Sequence, residues 1–389
     1  MNLSGTTWLL VYAATLLLAV LLNLRLWRLD RRMVRQAVVR KASMPRLEPK
    51  GDRLPRVSFL VAAWNEHTMI HRFIDGVLGL AYPDFELILC AGGNDGTYAM
   101  AAEHQDEKLV LLEQQPGEGK QHALQRCLEK STGEILYLTD ADCLMSDEVA
   151  AWTLAPIING GEQAVSGCLY IPLPEQMGNP SVVRQCATSL YTALRQPRYS
   201  LGLLGGNCAV ARPALEAAGA FRNPVRTGTD YDLAKRLLKQ HVRIYFEANA
   251  SIRSEFPDTL AAYYRQQARW MRNVVMHGLQ YQAYGEVSAS LRTSLLGLGM
   301  LLFPFCALGL SFFAGLAQDI ALGLMDFWMF AVVYAFLSRL RYLGVAGAFL
   351  GFKFPAGHLP ELFVSLLVDF VAWVIPLGEY AFKYARERW

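Results

Sequence analysis

From Val57 to Ile171 the chain alternates between two polarity patterns: short unbroken apolar runs, and stretches whose apolar positions recur at helical spacing. The runs are VSFLVAA (57–63), FELILCA (85–91), KLVLL (108–112), ILYLT (135–139) and AVSGCLYI (164–171). Their length and their content of Val, Ile, Leu and Phe predict strands buried on both faces. Between them, the stretch from Lys120 to Glu129 sets Ala123, Leu124, Cys127 and Leu128 on one side of a helix. Strands and helices in alternation predict an α/β domain with a mostly parallel sheet covered by helices.

Outside that region the apolar stretches lengthen. Trp8 to Leu24 carries no charge and is long enough to cross a bilayer, and Arg25, Arg28, Arg31, Arg32, Arg35, Arg40 and Lys41 follow it. A cleaved leader has its basic residues before the apolar core, so the reversed order predicts a retained anchor. The positive-inside bias then places the amino end outside and the chain from Arg25 onward in the cytosol. Leu295 to Ala317 and Ile320 to Leu337 are two further spans, joined by a turn at Gln318 and Asp319, after which Arg339 and Arg341 mark a return to the cytosolic side. Leu362 to Leu377 is another, preceded by a shorter stretch, Tyr342 to Phe354, that carries Lys353. This pair fits either two tight spans or a re-entrant hairpin, and Lys383, Arg386 and Arg388 favour a cytosolic carboxyl end. The expected division is an anchor over 1–28, a basic juxtamembrane linker over 29–54, an α/β catalytic domain over 55–257, interfacial helices over 258–292 and a membrane domain over 293–389.

Composition agrees with that division. Hydrophobic residues make up 53% of the 389, too many for a purely soluble enzyme, and the excess sits in the long apolar stretches. Net charge is only +3, with the basic residues beside the spans, which suits anionic lipid headgroups and not nucleic acid. The seven cysteines show no Cys-x-x-Cys and no Cys/His cluster at metal spacing, so neither a zinc site nor a disulfide framework is expected.

Candidate chemistry begins where the fourth run stops, at Asp140 and Asp142. Two carboxylates at the carboxyl edge of a sheet stand where open α/β folds bind ligands, and they suit a hard divalent cation held against a diphosphate. A second Asp-x-Asp, Asp230 and Asp232, opens a helical run; there Asp230 serves either as a cap or as a proton acceptor. Trp64-Asn65-Glu66 ends the first run, and Gly92-Gly93-Asn94-Asp95-Gly96-Thr97 ends the second, a turn that admits a ligand backbone or simply caps a helix through Asp95. Lys120 lies near a helix amino end, where a cation is explained by an anionic partner or by solvent. Gln266, Arg269 and Trp270 precede the last spans, suited to a leaving diphosphate and a sugar face or to a membrane interface.

The ordered series WNE, NDGT, EGKQHAL, TDADC, GGNCAVAR, GTDYDLA and QQARW, from Val57 to Trp270, resembles that of membrane-anchored glycosyltransferases of family 2. The resemblance implies a GT-A nucleotide-sugar-binding fold flanked by amino- and carboxyl-terminal transmembrane helices, and inversion at the anomeric carbon of a nucleotide sugar. It implies Mg2+ or Mn2+ at the Asp-x-Asp, with Asp140 against the nucleotide sugar and Asp142 on the metal. Lys120, Glu66, Asn94 and Asp95 would surround the nucleoside. Asp230 matches the aspartate of the family's Thr-Glu-Asp motif, the general base toward the acceptor hydroxyl, with Arg269 steadying the leaving diphosphate and Gln266 and Trp270 shaping the acceptor end. Two positions depart: Cys90-Ala91 stands where the family has an Asp-Asp pair, and Thr229 where it has the glutamate.

The expected donor is a UDP-sugar and the leading acceptor a lipid hydroxyl, since segments such as LAYPDFELILC (80–90) and QPRYS (196–200) are similar to ceramide glucosyltransferase-like enzymes of glycolipid biosynthesis. A processive polysaccharide synthase is the alternative, weakened by few spans and by Ala268 within the Gln-x-x-Arg-Trp motif. A nonenzymatic membrane scaffold is a further alternative, opposed by the joint presence of Asp140, Asp142, Asp230, Arg269 and Trp270. The expected location is a membrane, the bacterial inner membrane, with the catalytic domain cytoplasmic. Asp369 is an acid inside VSLLVDFVAWVI: either it or nearby Glu361 lines an acceptor headgroup path, or it pairs with Arg339 or Arg341 and locks the helices together.

Overall fold

The computed structural model describes residues 4–40, 43–49, 51–222, 225, 227–312, 316–351 and 356–387. Of the basic residues read as flanking spans, Lys41, Lys353 and Arg388 lie outside the described residues. The chain forms two compact units: a sheet unit of residues 37–176 and 192–256, and a helical unit of 1–36, 177–191 and 257–389.

The sheet unit contains β1 (Val57–Trp64), β2 (Phe85–Gly92), β3 (Leu109–Glu113), β4 (Ile135–Thr139), β5 (Cys143–Leu144), β6 (Ala164–Pro172), β7 (Tyr199–Ser200), β8 (Asn207–Ala211) and β9 (Ile244–Ser254). The order is β3-β2-β1-β4-β8-β6-β9-β5, with β7 on β9. β1 to β4 run parallel, as the alternating pattern predicts, whereas β8 is antiparallel to both β4 and β6, and β6 returns to parallel pairing with β9. The sheet is covered on both faces. One face carries Phe59, Phe73, Ile74 and Leu154, and the other Leu60, Ile88, Leu124 and Leu237. Full burial on both faces explains why β1, β2 and β4 read as unbroken apolar runs.

In the helical unit, four helices among the described residues are long and apolar enough to cross a membrane: Gly5–Arg35, Tyr284–Ser311, Gln318–Leu350 and Ala356–Val374. Two sequence expectations change here. Gln318 and Asp319 do not form a turn; they lie in the first turn of the helix Leu316–Leu350, where an acidic side chain is favoured and where Asp319 Oδ1 accepts the Trp8 indole N–H at 3.1 Å. Tyr342 and the residues after it are not a separate short stretch, because that same helix runs unbroken to Leu350. Arg339 and Arg341 therefore stand within one continuous helix, beyond the 320–337 stretch, and each has an acidic partner. Arg341 pairs with Asp30 at 3.0 Å, and Arg339 with Asp369 at 2.7 Å.

Polar groups in this unit find one another across helices, as an apolar surrounding requires. Ser338 donates to Asn23 Oδ1 at 3.1 Å, Thr15 to Asp326 Oδ2 at 3.0 Å, and Ser294 to the Trp373 carbonyl at 2.7 Å. Close approach is made by small residues: a Cβ on Gly344 would fall 2.2 Å from the Trp27 ring. Asp369 is buried and paired, the second of the two arrangements its sequence position allowed, whereas Glu361 lines a cavity.

Candidate active site

β1, β2 and β4 end on one edge of the sheet, so the residues just beyond them meet there. Asn65 leaves β1 with φ of 61°, and its Oδ1 accepts the Asn94 N–H at 2.9 Å. Gly93, at φ of 125°, leaves room for that contact; a Cβ would lie 2.1 Å from Asn65 Oδ1. Thr97 Oγ1 accepts the Glu66 N–H at 2.8 Å and donates to Asp95 at 2.6 Å. Asp95 also accepts the backbone N–H groups of Thr97 at 3.0 Å and His67 at 3.1 Å. Burial works against its charge, yet these hydrogen bonds hold its carboxyl well below the usual carboxylate range. Asp95 thus builds the turn that locks the segments after β1 and β2 together, and Asn94 stands exposed at its tip.

Asp140 and Asp142 follow β4 directly. The Asp142 carbonyl accepts the Glu255 N–H at 3.2 Å, and Cys143 pairs with Ser254 of β9, which fixes the turn from its far side. Lys120, near the start of the helix Gly119–Lys130, donates to Asp140 Oδ1. Burial would lower the lysine, but Asp140, Asp230 and Asp142 together hold it above its ordinary value. Burial and the Asp140 charge push Asp142 up to about 6. Burial pushes Glu66 up to about 8, with Asp142 and Asp140 adding to the effect. Glu66 is therefore electrostatically part of the acidic cluster. Such crowding of carboxylates is typical of sites that await a cation or a proton.

Asp230 is the second residue of the helix Thr229–Lys239, whose cap is Gly228 at φ of 74° with no side-chain cap bond. Gly228 and not Asp230 is therefore the cap residue, although the Asp230 carboxylate also meets the backbone N–H groups of Asp230 and Tyr231 at the helix start. Burial raises the Asp230 carboxyl above the ordinary value, and Lys120 draws it back down. Gly205 permits its approach, since a Cβ there would lie 3.0 Å from Asp230 Oδ2. Asp232, wholly buried, instead receives the Arg236 Nε–H at 2.9 Å. The two members of this pair point to different faces of one helix, one toward the acidic cluster and one into packing.

Several participants were not apparent from the sequence. Tyr170 on β6 accepts the Gly206 N–H at 2.8 Å, and its hydroxyl is pushed well above its ordinary value by burial and then by Asp140. Glu255 adds to the charge felt by Glu66 and Asp142. Arg126 binds Glu118 at 2.9 Å and reaches the Glu113 carbonyl at 2.9 Å and Cys90 Sγ at 3.9 Å. Cys90 and Ala91 are themselves wholly buried in β2, so no carboxylate stands at those two positions. Gln266, Arg269 and Trp270 belong to the helical unit, on the helix Leu260–Gln280, where their spacing places them on one face. Arg269 and Trp270 are exposed there, and Ala268 is buried.

Comparison with known proteins bears on the whole constellation. A family model described as glycosyltransferase like family 2 matches residues 55–273, and one described as glycosyl transferase family group 2 matches 181–375. A β-monoglucosyldiacylglycerol synthase of Trichormus variabilis is 28% identical over 242 residues, covering 59% of this chain and 51% of that protein. A poly-β-1,6-N-acetyl-D-glucosamine synthase of Staphylococcus epidermidis is 23% identical over 240 residues, 58% of this chain and 56% of that protein. The chain thus spans about half the length of these curated relatives. A mannosyltransferase of Pyrobaculum calidifontis, solved with GDP-mannose and Mn2+, has the same fold, with a TM-score of 0.51 at 19% identity over 95% of this chain and 97% of its own.

Proposed function

This chain belongs to the family 2 glycosyltransferases, and on that premise we propose that it moves a hexose from a nucleotide sugar, a UDP-sugar, to a hydroxyl of a membrane lipid, with inversion. The observation that carries the proposal is the convergence of Glu66, Lys120, Asp140, Asp142 and Asp230 on one sheet edge, with Lys120 feeling the charge of all three aspartates. Four helices long and apolar enough for a bilayer and a glucosyldiacylglycerol synthase among the relatives support the lipid acceptor. The poly-N-acetylglucosamine synthase among the relatives supports polymer formation as the second reading.

Asp140 and Asp142 fit a divalent cation such as Mg2+ or Mn2+. Burial, and then the charge of Asp140, raise the Asp142 carboxyl, and a bound cation would favour the charged form of both. Among the described residues no cluster of three or more His, Cys, Asp or Glu side chains stands ready to hold a metal. Mg2+ is commonly bound by one or two carboxylates and completed by substrate phosphates. When bound, its contribution is neutralisation of charge on the departing diphosphate.

In this reading Lys120 holds Asp140 in place and adds a positive charge where a diphosphate sits. Asp230 takes the proton of the acceptor hydroxyl as that oxygen attacks the anomeric carbon, and burial strengthens it as a base. Asn94 and the turn built by Asp95 face the nucleoside. Arg269, Gln266 and Trp270 are assigned to the leaving group and acceptor end. The test is a comparison of Asp230→Asn with the unaltered enzyme: donor binding by calorimetry stays within a few-fold, whereas transfer falls by about two to four orders of magnitude. Equal loss of both removes Asp230 from the role of base.

A further inference from the structure

Within the helical unit lies a cavity of about 410 Å3. Its wall is made by the first two turns of helices at three amino ends: Pro180, Ser181 and Arg184 from Pro180–Ala193, Leu260 from Leu260–Gln280, and Glu361 and Val364 from Leu359–Glu387. Three helix amino ends therefore surround one space, each bringing the positive end of its dipole.

The charge beneath that space is not balanced. Asp369 Oδ2 accepts from Arg339 at 2.7 Å and lies 3.6 Å from an Arg184 guanidinium nitrogen, while Asp369 Oδ1 takes the Tyr263 hydroxyl at 2.6 Å. Two guanidinium groups share one carboxylate. Arg184 is only 3% exposed, and none of its three guanidinium nitrogens makes a hydrogen bond. It stacks on the Tyr263 ring at 4.6 Å instead. Ser181 Oγ, equally buried, also has no partner. A buried positive charge in excess is costly until an anion answers it. The carboxylates at the wall, Asp258 and Glu361, do not answer it: both are exposed to solvent, and Glu361 is bound to His358 at 2.9 Å.

We propose that this cavity holds the phosphate headgroup of an anionic membrane lipid. Arg184 supplies the compensating charge, the three helix ends add the positive ends of their dipoles, and Leu260, Leu362 and Val364 meet the first acyl carbons. The apolar wall, and the fact that the segment carrying Glu361 and Val364, Ala356–Val374, is long and apolar enough to cross a membrane, favour a lipid over free phosphate. The site goes beyond sugar transfer and shares with that reading only the placement of helices in a bilayer.

Thermal unfolding of the full chain in nonionic detergent tests it without any readout of transfer. Dihexanoylphosphatidylglycerol is expected to raise Tm saturably, dihexanoylphosphatidylcholine to leave it unchanged, and inorganic phosphate to act at least about tenfold more weakly than the anionic lipid. Arg184→Gln leaves Arg339 and Asp369 as a balanced pair, so it is expected to fold and to weaken the response to the anionic lipid by about tenfold or more. Val364→Trp, which fills the space and keeps the charge, is expected to abolish the response. Equal shifts with the two lipids, a full response in both variants, or phosphate as potent as the lipid would each overturn the proposal.

Discussion

Asp230 and Asp232 stand two residues apart at the start of one helix, yet their surroundings differ, and only Asp230 fits the proposed role of base. Asp232 is wholly buried against Arg236, whereas Asp230 is raised by burial and restrained by Lys120. A base is lost when it gains a proton, and a raised carboxyl gains it at higher pH. The acid limb set by Asp230 is therefore expected to lie above the ordinary aspartate value. The residual activity of Asp230→Asn should lose that limb and keep only those of other carboxyls such as Asp142; a pH–rate profile of both enzymes at saturating metal and donor checks this. Much of this was legible in the sequence, because an acid at a strand end or a helix start is visible from its neighbours. Partners such as Tyr170 and Glu255 were not. They reach the site through β6 and β9, which join it only by long-range pairing.

At the level of elements, β1 to β4 and β6 were readable as apolar runs because the sheet is covered on both faces. β8 and β9 were not read as strands. β8 is only Asn207–Ala211, and β9 carries Glu247 and Asn249 in its middle, so its strand state depends on β6 more than on its own pattern. Turns carry the site, and Gly93 is the most sharply constrained of them. Gly93→Ala is expected to cost about 1–3 kcal/mol, because its Cβ would collide with Asn65 Oδ1 in a conformation that already disfavours a side chain. A fall in Tm accompanied by weaker donor binding is the expected measurement; an unchanged affinity would detach this turn from the donor.

At the level of the molecule, the apolar stretches were legible as candidate spans from length alone, but their limits were not. Arg339 and Arg341 mark the end of a span in sequence, yet the helix that carries them continues to Leu350, and there they pair with Asp369 and Asp30. Asp369→Ala is expected to lower stability by about 3–5 kcal/mol, since it leaves Arg184 and Arg339 without a buried counter-charge, and Asp369→Asn by less. Denaturation of the purified variants in detergent reads the difference. The nature of the acceptor is best read from the product: purified enzyme, radiolabelled UDP- and GDP-sugars and a membrane lipid extract, with label separated into lipid-soluble and high-polymer fractions. The expected result is divalent-metal-dependent label in a discrete lipid-soluble product, abolished by Asp142→Ala. A polymer ladder, or the same label after the metal is chelated, would contradict it.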